Sequence, residues 1–189
     1  MFNPPKFVLA FALMATLQAC SSELSKEEQE ILDARIADET KPTNMTAVLQ
    51  ANPDLTTAST LVGLSGIAAE LKDDGPFTSF AATNEAFNKM DGERLSALMS
   101  ADNKEELVSI SKYALVKGSM TAADIAKAIA DGDGTASLTT LQGGVIKATM
   151  DGDKIVLEDG VGNKANVTEA DVKSSNGTMH IIDHVLMPK

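Results

Sequence analysis

Cysteine, aromatic residues and positive charge are all scarce in this sequence. Its 189 residues include one cysteine, one tyrosine and no tryptophan, and aromatic residues make up 4% of the chain. A single cysteine excludes an intramolecular disulfide, and so few aromatic side chains offer little platform for stacking nucleic-acid bases. The formal net charge of −11 would also repel a phosphate backbone, so we expect no nucleic-acid partner. A hydrophobic content of 43% is nevertheless enough for a folded core.

The one cysteine, Cys20, follows a stretch typical of a secretory signal peptide. Residues 1–19 contain one basic residue, Lys6, then an apolar run at 7–17 and small residues. A run of about eleven residues is too short for a transmembrane helix, which needs roughly twenty. The sequence LQAC at 17–20 resembles the lipobox of bacterial lipoproteins. That resemblance implies cleavage before Cys20 and acylation of this residue. The alternative is an ordinary signal peptide with a cysteine near its cleavage site.

Acylation of Cys20 would make the membrane itself a partner. Each buried methylene stabilises membrane association by about 0.8 kcal/mol, so several acyl chains on one residue anchor a protein stably. Loss of Lys6 with the signal peptide leaves a more acidic chain, so attachment would depend on lipid and not on anionic head groups. In many lipoproteins an Asp after the cysteine favours retention in the inner membrane. Ser21 stands there, which favours an outer-membrane location in the cell envelope.

The remaining chain divides at about residue 41. Residues 20–41 are rich in charge, and Ser25 with Glu28 forms a possible capping box for a short helix at about 26–38. This segment is either a spacer that lifts the domain from the membrane or the solvated first helix of the domain. From Pro42 the composition becomes that of a globular protein, so we assign a single domain to 42–189.

Residue patterns predict helices in the first half of this domain and strands mainly in the second. Apolar spacing and capping residues predict helices at about 43–54, 56–75, 84–90, 92–99, 103–114 and 121–130. Alternating or β-rich runs predict strands at 76–83, 138–144, 145–150 and 154–158, with a hairpin turn at Asp151-Gly152. Residues 164–177 lead into a last element. Helices followed by strands indicate an α+β fold.

Four blocks of the sequence follow one family pattern in order. GPFTSFAATNEAF at 75–87 and SNGTMHIIDHVLMP at 175–188 are similar to the first and second signatures of the fasciclin-like (FAS1) domain. KYALVKGSMTAADIA at 112–126 and LTTLQGG at 138–144 match the blocks between them. The resemblance covers 42–189. It implies a wedge with a β-sandwich-like core and helices packed on it. It also implies a role in adhesion or binding at cell surfaces, without a shared catalytic centre.

The chain departs from the family pattern at positions that bear on partner binding. Ala82 stands where many members have proline, and Ala114 follows Tyr113 where members usually carry a Tyr-His pair implicated in integrin contact. Asp171 and Val172 match part of an integrin motif of animal relatives, but its proline and methionine are missing. Tyr113, Asp171 and Val172 are therefore our candidate partner contacts. The alternative for the last two is an acidic turn residue and a buried apolar residue.

The two histidines, His180 and His184, lie four residues apart in the last element. The β-branched residues around them, with Gly177 before and Pro188 after, favour a short strand. On a strand these positions are about 13 Å apart, too far for both imidazoles to bind one zinc ion. We therefore expect no metal site, no cofactor and no catalytic residues.

Three functions were compared on these grounds. The favoured one is a non-catalytic binding or adhesion module that is lipid-anchored in the cell envelope, with an unidentified protein or other envelope surface as partner. The alternative is a carrier of an apolar small molecule (carotenoid-like or lipid), because some FAS1 proteins bind carotenoids and nine Met residues could line an adaptable pocket. A hydrolase is the weakest hypothesis, because the sequence has no recognisable nucleophile motif.

Overall fold

The computed structural model describes residues 44–73 and 75–189. They belong to one compact unit, which extends over Pro42–Lys189. The predicted signal peptide at 1–19, the acylation of Cys20 and the helix at 26–38 lie outside the described residues. None of the helices in the part that is described is long and apolar enough to cross a membrane.

Helices occupy most of the first half of the domain. They are α1 (Met45–Ala51), α2 (Thr56–Ser65), α3 (Glu70–Asp73), α4 (Asn84–Asn88), α5 (Gly92–Leu98), α6 (Lys104–Tyr113) and α7 (Ala122–Asp131). The helices predicted at 92–99, 103–114 and 121–130 are confirmed. The single helix predicted at 56–75 is wrong, because Gly66 adopts a left-handed conformation (φ 79°) that ends α2. The chain becomes helical again only at Glu70.

Seven strands form one sheet that is nearly closed. They are β1 (Phe77–Ala82), β2 (Leu115–Lys117), β3 (Ala136–Thr139), β4 (Val145–Asp151), β5 (Lys154–Glu158), β6 (Lys164–Ser174) and β7 (Gly177–Ile182). Their spatial order is β2-β1-β7-β6-β5-β4-β3. The two edge strands meet at a single bridge between Val116 and Thr140. The α+β fold with helices packed on a β core is therefore confirmed.

Strands β1 and β7 form the parallel pair near the middle of this sheet, and the other paired strands run antiparallel. Their register runs from Phe77 opposite Gly177 to Ala82 opposite Ile182. At the first pair of this register the backbones of β1 and β7 are so close that a Cβ on Gly177 would lie 1.9 Å from the carbonyl oxygen of Phe77. Only glycine fits there, so the last strand can pair along its full length.

Two segments differ from the strand predictions. The predicted strand at 138–144 is only partly correct: β3 ends at Thr139, and the chain turns where the Gly143 N–H donates to the carbonyl of Thr140 (3.0 Å). Residues 164–174, which received no strand prediction, form the longest strand. Most of its residues are half-buried or exposed, so the sequence lacks the alternation that marks a strand. The hairpin turn at Asp151-Gly152 is confirmed by the pairing of Asp151 with Lys154.

The aromatic side chains of the first family block form part of the core. All six residues of β1 are buried, and so is Phe87 on the following helix α4. Phe77, Phe80 and Phe87 are each no more than 6% exposed. Because burial of β1 leaves it no solvent-facing side, this strand needs partners on both faces and both edges.

Truncation of Phe80 to Ala should lower the free energy of unfolding by about 3–5 kcal/mol, because it removes a fully buried ring. That is a large share of the roughly 5–15 kcal/mol typical of a domain. Urea unfolding of Phe80→Ala checks this, with Val161→Ala as the matched control, since Val161 is 56% exposed. A wild-type midpoint for Phe80→Ala would contradict the assigned core.

Candidate functional site

The predicted contact residue Asp171 lies in a β-bulge. Strand β6 pairs Glu169 with Ile181 and Val172 with Met179, so it carries one more residue between these pairs than β7 does. Asp171 has a φ of 61°, the left-handed region that Asp and Asn tolerate better than most residues. The bulge turns the Asp171 side chain toward the start of α7.

The Asp171 carboxylate serves the N-terminus of helix α7. Its Oδ1 accepts a hydrogen bond from the backbone N–H of Ala122 at 2.7 Å, and Ala122 is the first residue of that helix. Thr121 and Asp124 form a capping box at the same end. A second carboxylate there interacts favourably with the helix dipole. Asp171 therefore has a structural role, whether or not it also contacts a partner.

Beside the bulge, His180 is fully buried and hydrogen-bonded on both sides. Its Nε2 lies 3.0 Å from the carbonyl oxygen of Met120, and the N–H of Asp171 donates to its Nδ1 at 3.4 Å. These contacts assign the neutral tautomer with hydrogen on Nε2. The ring also stacks on Phe80, with centroids 5.7 Å apart. His180 thus connects β7 to the bulge and to the segment before α7.

Burial is the largest influence on the His180 imidazole. It lowers the pKa of His180 below its ordinary value of 6.5, against the opposing effects of the Met120 carbonyl and the Asp171 carboxylate. A proton on Nδ1 would also face the N–H of Asp171, so the neutral ring fits this position. The arrangement is that of a structural histidine.

The other predicted site residues lie elsewhere. Tyr113 is 1% exposed at the end of α6, and its hydroxyl donates to the carbonyl of Val145 at 2.8 Å, so its ring offers no surface to a partner. Val172 is half-buried against the core. His184 lies in a bend beyond β7, so the strand prediction is correct for His180 and wrong for His184. Within 44–73 and 75–189, no group of three His, Cys, Asp or Glu side chains could hold a metal ion.

Two asparagines have structural roles that sequence reasoning missed. The Asn176 side chain accepts a hydrogen bond from the N–H of Met45 (2.8 Å) and donates to the carbonyl of Leu71. The Asn84 side chain accepts from the N–H of Thr57 (2.9 Å), so it caps α2, whose own N-cap residue makes no side-chain bond. The signal that the sequence offered was the presence of these asparagines in family blocks. Their hydrogen-bond partners are distant in the chain, so local sequence could not predict them.

An apolar cavity of about 70 Å³ lies between helices α2 and α6 and strand β1. Aliphatic side chains make up most of its wall, and Ser79 and Ser111 are its polar residues. Ala82 and Ala114, two of the positions at which the chain departs from the family pattern, both line it. Pockets for drug-sized ligands are commonly about 300–1,000 Å³, so this cavity suits only a much smaller molecule.

The sheet, the helices on it and the two family blocks define an α+β domain of the FAS1 type. The family model for the Fasciclin domain matches residues 53–188. The chain therefore belongs to the fasciclin family.

Several relatives share this domain in different settings. Protein sll1483 of Synechocystis is 30% identical over 167 residues, with 88% of this chain and 85% of the relative covered. Human periostin is 32% identical, with 77% of this chain covered but only 16% of periostin. Immunogenic protein MPB70 of Mycobacterium bovis is 35% identical, with coverages of 72% and 65%.

A solved structure supports the fold. The FAS1 domain pair of the insect cell adhesion molecule Fasciclin I superposes with a TM-score of 0.69 at 22% identity. The similarity covers 78% of this chain and 51% of that one.

Replacement of Asp171 by Ala should lower the free energy of unfolding by about 0.5–2 kcal/mol, because it removes a hydrogen-bond acceptor at the start of α7. Asp171→Asn is the matched control, since it keeps an acceptor oxygen and tolerates the left-handed conformation. Urea unfolding compares the two. Equal stability of Asp171→Ala and wild type would show that the contact with Ala122 contributes nothing.

The stability of the domain should fall as the pH drops below about 6.5. Above that value His180 is neutral in both the folded and the unfolded chain. Below it the unfolded chain takes up a proton that the folded chain binds only at lower pH, because the pKa of His180 is lowered in the fold. The slope contributed by one such proton is at most about 1.4 kcal/mol per pH unit. Urea unfolding of wild type and His180→Gln between pH 5 and 8 isolates this contribution. Loss of the slope in His184→Gln instead of His180→Gln would contradict the assignment.

Proposed function

We propose that this protein is a non-catalytic adhesion or binding module of the cell envelope, tethered by lipid on Cys20. The observation that carries the proposal is a fasciclin domain covering residues 53–188. The resemblance in fold to a domain pair from an insect cell adhesion molecule supports an adhesive role.

The polar groups of the described domain favour binding over catalysis. His180 and Asp171 hydrogen-bond to backbone groups of neighbouring elements. Asp159, which is also buried, accepts hydrogen bonds from the N–H groups of Val161, Asn163 and Met187 and so holds the chain end. These three acid and base side chains thus hold the fold together. An adhesion module needs this rigidity but no turnover.

Features of the sequence support the lipid tether. Cys20 follows the signal-peptide-like stretch, and residues 20–41 would serve as a charged spacer before the domain at 42–189. Acyl chains on Cys20 would fix the domain at the membrane surface, with Ser21 favouring the outer membrane. Asp171 and Val172 remain proposed partner contacts. Asp171→Asn removes the negative charge but keeps an oxygen that can accept the hydrogen bond from α7, so it tests whether the charge contributes to partner binding.

The second candidate function is carriage of an apolar small molecule. The apolar cavity beside β1 favours it, although its volume of about 70 Å³ is too small for a whole carotenoid. A carrier would therefore hold a small ligand or part of a longer one. Pigment or lipid extracted from the purified protein would favour this function over adhesion.

The decisive experiment compares wild type with Cys20→Ala in cells that lack the native protein. Without the lipid, we expect the protein to leave the membrane fraction and cell attachment to surfaces to fall to the level of cells without it. Thermal unfolding should be unchanged, because the substitution lies outside the described domain. Ser21→Ala is the matched control, since it alters the neighbouring residue and keeps the cysteine.

Two results would contradict this proposal. Membrane retention of Cys20→Ala would show that lipid on this residue is not the anchor. Unchanged attachment by cells that have released the protein would refute the tethered adhesion module and would make the apolar carrier the better hypothesis.

A further inference from the structure

The sheet leaves a gap where its two edge strands diverge. Strand β2 ends at Lys117, and Gly118 turns away with a φ of 95°, its N–H donating to the carbonyl of Pro76 (2.8 Å). The side chain of Thr78 holds this turned segment in place: its hydroxyl donates to the carbonyl of Gly118 (2.7 Å) and accepts from the N–H of Met120 (2.9 Å). Strand β3 therefore loses its neighbour on that side immediately beyond the bridge at Thr140.

The free edge of β3 displays backbone hydrogen-bonding groups. The N–H of Thr140 donates to Gly144 across the hairpin (2.9 Å), and the register continues with Leu138 opposite Ile146. Because inward and outward backbone groups alternate along an antiparallel pair, those of Ser137 point away from β4. Ser137 is also exposed, and in the described sheet β3 is a terminal strand.

A groove of about 940 Å³ runs along this edge. One wall is β3, and the opposite wall contains Val116, Lys117 and Met120. Ala128 and Asp131 of α7, with Gly132 just after it, border the groove. Half-buried apolar side chains line its floor: Met120, Ala128 and Leu141. The groove thus combines unpaired backbone groups with apolar contacts at its floor.

Apart from its short length, the edge lacks several of the features that usually protect a free strand. Exposed edges are commonly guarded by charged residues, proline or bulges. Strand β3 has the sequence ASLT, without charge or proline, and it pairs with β4 in regular register. Its length of four residues limits fibre-like association but is sufficient for a short peptide.

We infer that this groove, formed by the β3 edge, Met120 and Ala128, binds an extended segment of a partner polypeptide by strand addition. The segment would hydrogen-bond to the backbone of Ser137 and place every second side chain on the apolar floor, as successive residues of a strand point to opposite sides. The net charge of −11 favours a neutral or basic segment over an acidic one.

A second copy of this chain fits the groove less well than a free segment does. The residues Val116, Lys117 and Met120 and the end of α7 stand opposite the β3 edge, so the equivalent edge of another copy would have to pass both to reach it. Two copies with the same acidic charge also repel each other.

Selection from a phage-displayed library of random eight-residue peptides on the purified full chain tests the inference. We expect selected peptides with apolar residues at alternate positions. N-methylation of their backbone should weaken binding with a period of two, because only alternate N–H groups face β3. This readout leaves the protein unaltered, so it does not depend on the folding of a variant.

Two protein variants complete the test. Ser137→Pro removes the outward N–H of β3, and Ala128→Arg places a long cation on the groove floor; each should raise the Kd of a selected peptide at least tenfold. Ala130→Arg is the matched control, since Ala130 lies exposed on the same helix outside the groove lining. Binding that survives both groove variants, N-methylation without periodicity, or no enrichment over Ser137→Pro protein would overturn the inference. So would a dimer of wild type that Ser137→Pro abolishes, because the occupant would then be a second copy.

This inference rests on the proposed adhesive function and adds a contact face to the proposed contacts Asp171 and Val172. In the cell-attachment assay, Ser137→Pro should stay in the membrane fraction and lose attachment. If wild type attaches through Cys20 and both groove variants attach equally well, the groove is wrong and the proposed function stands. If attachment does not depend on Cys20, the proposed function fails whatever the peptides do.

Discussion

The parallel pairing of β1 with β7 is the interaction on which the other parts of the domain depend. These strands come from the two outer family blocks, about one hundred residues apart in sequence, and they lie side by side in the sheet. Strand β2 pairs with the free edge of β1, and β6 pairs with the free edge of β7. His180 of β7 stacks on Phe80 of β1, and Asn176, just before β7, bonds to the chain at Met45, Leu71 and Phe77. The sequence blocks that mark the family therefore contain the residues that join the parts of the domain.

Local sequence signals predicted the helices and strands that are stabilised by residues close to them in sequence. Helix α7 was predicted nearly to the residue, because Thr121 and Asp124 cap it within one turn. Strand β1 was recognised from its run of apolar and small residues. Strand β6 was missed because it is largely exposed and polar, and its conformation is set by pairing with β5 and β7. The break at Gly66 was missed because the apolar spacing continues across it and gives no sign of the left-handed residue.

For the candidate site residues, too, the sequence predicted features that depend on local residues but not contacts between distant parts of the chain. Sequence resemblance drew attention to Asp171 but could not assign its partner, because the Ala122 N–H lies 49 residues away in the chain. His180 was correctly placed on a strand, yet its contacts with Met120 and the bulge depend on how three elements meet. The groove beside β3 had no sequence signal at all. The edge of β3 is free because the neighbouring chain turns away at Gly118. No residue pattern within β3 itself predicts that turn.

The position of β7 in the chain has a consequence for the order of assembly. Until residues 177–182 are available, helices α1 to α6 with β1 and β2 form one part, and α7 with the meander from β3 to β6 forms another. The strand that lies between β1 and β6 is then missing. Pairings between residues far apart in sequence also form slowly, since a long loop must close first. A nascent chain of this topology cannot complete its sheet before residues 177–182 leave the ribosome. If the chain is exported as the proposed signal peptide implies, this late closure would leave completion of the sheet to the far side of the membrane.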